Sequence, residues 1–93
     1  MGVMQMLTFN KDEDGYLSWV REHPLGYVIN APKDHASFPN TLHRASCSFI
    51  QTPKRTNYTN PHYIKLCSQD RQELITWGES SPLGLRLCKH CKP

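Results

Sequence analysis

The apolar positions of this chain come in short runs whose period shifts from two to nearly four and back. Residues 3–9 (VMQMLTF) are apolar enough for a short strand. Asn10 suits a helix N-cap. Asp12, Glu13 and Asp14 follow where carboxylates favour the positive end of a helix, and Glu13 is placed as in a capping box. Tyr16, Trp19, Val20 and His23 recur at i, i+3, i+4 and i+7, one face of a helix that Pro24 ends. Residues 26–31 (GYVINA) are rich in β-branched and aromatic side chains and predict a strand. Pro32 to Asn40 reads as a loop, and Thr41, Leu42 and His43 return as a strand. Gln51 to His62 is polar, proline-broken and loop-like. Tyr63 to Cys67 predicts a further strand. Ser68 then caps a helix over residues 69–77 with Leu74 and Trp77 facing the core, and Gly78 to Gly84 form a turn-rich connector. Leu85, Arg86 and Leu87 lead into a terminal cysteine-bearing turn. This order predicts an α+β fold: a small antiparallel sheet with two short helices.

Ninety-three residues make a single small domain, 1–93, without internal repeats. Chains of this size bury only about 60–65% of their unfolded surface, so a covalent or metal staple adds much to stability. No apolar run approaches the ~18 residues of a membrane span, and Met1 to Leu7 lacks the basic start and long apolar stretch of a signal peptide. The expectation is a cytoplasmic protein with no membrane partner. In that reducing compartment its four cysteines are metal ligands or free thiols rather than disulfides.

Charge is unevenly spread. Residues 1–42 hold three Lys/Arg against five Asp/Glu, whereas residues 43–93 hold eight against three, so the second half carries the whole positive excess. The basic half is also the cysteine half.

The chemistry lies in His43-Arg44-Ala45-Ser46-Cys47 and Cys88-Lys89-His90-Cys91, an H-x3-C followed by a C-x2-C. A C-x2-C on a tight turn aims two sulfurs at one point, and a second pair completes a tetrahedral zinc site. The expected ligands are His43, Cys47, Cys88 and Cys91 around one structural Zn2+ ion, forming a zinc knuckle at the C-terminus. A rival set replaces His43 with Cys67, although a strand cysteine is more often a small buried hydrophobe. Redox catalysis by the C-x2-C is disfavoured, since only Lys92 and Pro93 follow it and no helix N-terminus is there to lower a thiol pKa.

These residues resemble the zinc-binding domain of the Ada DNA-repair protein and its relatives. The likeness runs from H-R-A-S-C at 43–47 through S-Q-D-R-Q-E-L at 68–74 to R-L-C-K-H-C-K-P at 86–93, against the family's C-R-P-S-C, a later helix opening on Ser, and R-P-C-K-R-C-x-P. It covers residues 43–93 only. Small bacterial and phage proteins that begin the pattern with H-R-x-x-C are nearer still. The resemblance implies the same four ligands, and DNA-phosphate contacts by Arg44 and Arg86, with His90 where the family often has Arg. In Ada the first ligand is a thiolate that accepts a methyl group. Here it is His43, so the resemblance implies no methyl transfer. Residues 1–42, the strand-helix-strand half, have no counterpart in it.

Two functional readings follow. The first is a non-catalytic, zinc-stabilised nucleic-acid-binding module, with DNA ahead of RNA as partner. Arg44, Lys54, Arg55, Lys65, Arg86, Lys89 and Lys92 would meet phosphates, Tyr58 in the basic loop would stack on an exposed base, and His90 inside the knuckle would face solvent or a ligand. The second is a protein-interaction or accessory module in which zinc is purely structural and the N-terminal strand, the Trp19 helix and its acidic first turn form the partner face. An enzyme ranks last. Four protein ligands close the metal's coordination, and no nucleophile elbow, H-E-x-x-H or phosphate-binding glycine loop is present.

Overall fold

The computed structural model describes residues 6–32, 40–47 and 63–93. Within them the chain runs β1 (Leu7–Phe9), α1 (Glu13–Glu22), β2 (Tyr27–Pro32), β3 (Asn40–Arg44), β4 (Tyr63–Ser68), α2 (Arg71–Ser80) and β5 (Leu85–Leu87). The strands form one sheet in the order β1-β4-β2-β3-β5, so strands from both halves of the sequence interleave. The expected α+β class is the one observed. The sheet is mostly antiparallel, but β5 joins β3 in parallel, with Thr41 opposite Arg86 and Leu42 opposite Leu87.

Each helix is the crossover of a β-α-β unit. β1 and β2 both pair antiparallel with β4, so they run the same way and α1 carries the chain over β4. β4 and β5 also run the same way, and α2 carries the chain over β2 and β3. Both crossovers move in one direction across the sheet but leave from oppositely directed strands. A common handedness then sets the two helices on opposite faces.

The pleat sorts side chains accordingly. On one face Tyr16, Trp19 and Val20 of α1 pack with Val28, Cys67, Ala45, Cys47 and Cys88. Phe9 meets Tyr16 edge to face, with ring centroids 6.2 Å apart. On the other face Leu74 of α2 packs on Ile29, Ala31, Leu42 and Leu66, with Ile75, Trp77 and Leu85 around them. Leu74, Ile29 and Leu42 are fully enclosed, and burying each contributes about 1.5–3 kcal/mol.

The helix ends differ from expectation. Lys11 takes a left-handed conformation (φ 55°), which turns the chain once more before α1 begins. The N-cap is therefore Asp12 rather than Asn10, and its carboxylate accepts from the Gly15 amide at 2.9 Å. The third helical residue is then Gly15, not Glu13, so no capping box forms. In α2 the N-cap is Asp70, accepting from the Gln72 amide, while Ser68 sits at the end of β4 and accepts from the Asp70 amide. α2 also continues through Gly78 instead of stopping at Trp77. A Cβ on Gly78 would lie 2.7 Å from Leu85 Cδ1, so the bare backbone is what lets α2 lie against β5.

Candidate metal centre

Two edges of structure bring the four predicted ligands together. β3 ends on His43 and Arg44, and a tight turn follows in which the Cys47 amide donates to the Arg44 carbonyl at 2.9 Å. The Ala45 amide donates to the Gly26 carbonyl, which ties that turn to the start of β2. Opposite, the Cys88 amide donates to the Leu42 carbonyl at 2.9 Å, extending the parallel ladder by one residue and setting Cys88 beside His43. The chain then reverses, the Lys92 amide donating to the Cys88 carbonyl, and returns Cys91 to the same point.

One ligand atom each from His43, Cys47, Cys88 and Cys91 lies within 4.8 Å of all the others. The Cys47 and Cys88 sulfurs are 4.0 Å apart. A tetrahedral zinc with bonds of about 2.3 Å separates its sulfurs by about 3.8 Å, so only a small contraction is needed. His43, Cys47 and Cys88 are buried and Cys91 is half-buried. His43 Nδ1 is buried without a hydrogen-bond partner. Leaving such an atom unsatisfied costs about 1–3 kcal/mol, and a bound cation removes that cost when the nitrogen turns to it.

Protonation suits the same role. The His43 pKa is lowered to about 4, by burial first and then by the positive charges of Lys65 and Arg86, so the ring is the neutral imidazole that metals bind. Burial raises the Cys88 thiol, but the amides of Cys91 and His90 and the side chains of Cys91 and Cys47 outweigh it, leaving the pKa lowered toward the thiolate.

Cys67 is not part of the cluster. It pairs with Val28, which pairs with His43 on its other side, so two strand spacings, about 9.6 Å, separate the two side chains. Burial raises its thiol pKa, against the opposing charge of Lys65. It is the small buried hydrophobe of its strand.

The proposed contact residues fall into three groups. Arg86, Lys89 and His90 are exposed around the knuckle, as is Lys92. Arg44 is also exposed, but its guanidinium donates from Nε to the Cys91 carbonyl at 2.9 Å and from Nη2 to the Lys92 carbonyl at 3.1 Å. Lys65 is turned inward at 4% exposure, with Nζ 2.7 Å from Asn30 Oδ1 and 5.7 Å from the Tyr16 ring centroid, so it is no surface contact. Lys54, Arg55 and Tyr58 lie outside the described residues. Trp19, on the helix of the alternative partner face but expected in the core by its period, is buried and stacked on His23. No helix among the described residues is long and apolar enough to cross a membrane.

Sequence reasoning missed Arg44's tie to the knuckle. It also missed Asn40, a buried side chain linking β3 to the α2–β5 connector. A basic residue inside H-x3-C was the available signal for the first. Neither protein-family models, nor curated proteins, nor solved structures match this chain, so the four candidate ligands and their surroundings carry the functional reading.

Proposed function

We propose that this chain is a non-catalytic, zinc-stapled nucleic-acid-binding module of the cytoplasm. The observation that carries the metal half is the convergence of His43, Cys47, Cys88 and Cys91 on one point, with a buried imidazole nitrogen left without a partner. Three thiols and one imidazole favour zinc, and four protein ligands leave it no open position for catalysis. The Ada-type likeness of residues 43–93 supports the same set.

The nucleic-acid half rests on charge. Residues 81–93 contain Arg86, Lys89 and Lys92 and no Asp or Glu, and all three cations are exposed beside the knuckle. Such a patch draws polyanions and contacts phosphates without reading sequence. DNA stands ahead of RNA because of the Ada likeness.

The test is equilibrium binding of zinc-loaded protein to single- and double-stranded DNA and RNA across a salt series. Binding is expected to weaken steeply with salt, and Arg86→Glu with Lys89→Glu to abolish it. Absence of binding at low salt would overturn the nucleic-acid reading and leave the metal as a staple only.

A further inference from the structure

The last three residues, 91–93, are held by guanidinium groups. Arg44 donates to the main-chain oxygens of Cys91 and Lys92, and Arg71 Nη2 donates to that of Pro93 at 3.2 Å. In addition, the Arg44 main-chain amide donates to Cys91 Sγ at 3.2 Å. Arg71 is the first residue of α2, where a cation opposes the helix dipole at a cost of about 0.3–1 kcal/mol. Its side chain reaches the knuckle segment from there.

We propose that Arg44, assisted by Arg71, is a positioning residue for the metal: a clasp that holds Cys91 in coordinating position. Cys91 needs it more than the other ligands do. His43 stands on a paired strand, Cys88 is fixed by the ladder bond to Leu42, and Cys47 is buried in the α1-side core. Cys91 is the least buried of the four and follows two exposed residues, Lys89 and His90. The planar fork of Arg44 spans two successive carbonyls, which the single ammonium of a lysine cannot do in the same geometry. The Arg44 amide on Sγ fixes where that sulfur points. Arg44 thereby belongs to the metal site rather than to the free cationic surface.

This inference rests on the metal reading, and cobalt separates the two. Wild-type protein is loaded with Co2+, and the thiolate-to-cobalt absorption and the rate of metal loss to excess chelator are followed. The comparison variants are Arg44→Ala, Arg44→Lys and Arg21→Ala. Partners around metal ligands typically change metal affinity about 10–100-fold. Arg44→Ala is expected to release cobalt about tenfold faster, with weakened thiolate absorption, and Arg44→Lys to restore little of the loss. Arg21→Ala removes the same charge from the exposed last turn of α1 without touching the knuckle oxygens, and is expected to stay near wild type. If Arg44→Ala does not fold, Arg44→Lys, which keeps the charge and loses only the fork, decides. Wild-type protein that takes up no cobalt would sink the metal reading and the clasp together. Wild-type protein that binds one cobalt, while Arg44 variants hold it equally well or Arg21→Ala loses it equally fast, would sink the clasp alone.

Discussion

Asn40 and Gly84 are joined across the molecule: the Asn40 amide nitrogen donates to the Gly84 carbonyl at 2.9 Å, and also to the Ser81 hydroxyl at 3.0 Å. Asn40 is 1% exposed at the start of β3. It fixes the connector that sets β5 in register, and so the approach to Cys88. Asn40→Ala removes both bonds and leaves the half-buried Gly84 carbonyl without this donor, and the expected loss is about 1–3 kcal/mol. Urea unfolding checks this, and a change under about 0.5 kcal/mol would show the connector to be held by other contacts.

Removing the metal should unfold this domain or nearly so. Binding energy at a site absent from the unfolded chain is folding energy. Metal analysis is expected to give one zinc per chain, and both chelation and Cys88→Ser to abolish the cooperative thermal transition. A chelated chain with an unchanged melting curve would remove the metal from the account of stability.

Cys67 should make the protein sensitive to alkali. Its folded pKa is raised above the ordinary value of 9.0. Below pH 9 the thiol is neutral in both states and its contribution is intact. Above pH 9 the unfolded chain ionises first, so stability falls by up to about 1.4 kcal/mol per pH unit. Cys67→Ala lowers stability at every pH but is expected to lack this slope. Denaturant titrations at pH 8, 9 and 10, as differences from wild type, isolate it, and parallel curves would disprove it.

Gly78 should resist enlargement. Helix propensity alone favours Gly78→Ala by about 1 kcal/mol, yet the added carbon would meet Leu85 at three atoms between 2.7 and 3.1 Å. Overpacking of this kind costs about 1–3 kcal/mol and is expected to win. Gly78→Ala with Leu85→Ala should recover part of the loss, and a stabilised single variant would mean that β5 shifts freely.

Much of the architecture and the whole cluster of His43, Cys47, Cys88 and Cys91 could be read from the chain, because both depend on local signals. Tyr16, Trp19 and Val20 mark one helix face by period, and H-x3-C with C-x2-C marks the cluster by spacing. What escaped depends on contacts far apart in sequence. β5 is three residues long, too short for alternation to declare it, and its parallel partner β3 lies more than forty residues earlier. Lys65 alternates with apolar neighbours and reads as solvent-facing, but the Tyr16 ring of α1 lies over that face. The caps shifted by two residues because Lys11 adopts a left-handed turn and Ser68 is claimed by the β4 ladder opposite Tyr27. Arg44 looked like a phosphate contact because sequence gives a guanidinium's charge and not its acceptors.

The parallel pairing of β3 with β5 has a consequence for solubility. Three residues of parallel ladder at a sheet margin are a weak seam. The candidate ligands from the β3 turn and from the knuckle lie on its two sides, so an ion held there would act as a rivet at the end of that seam. Without the ion, β5 is the strand expected to peel away, and amide exchange at Leu87 and Cys88 should rise before that of central β2. β3 would then be left as a bare edge, open to pairing with another chain. Metal supply would in that case govern self-association as well as folding, with oligomers growing from the side of the sheet where the ion had been.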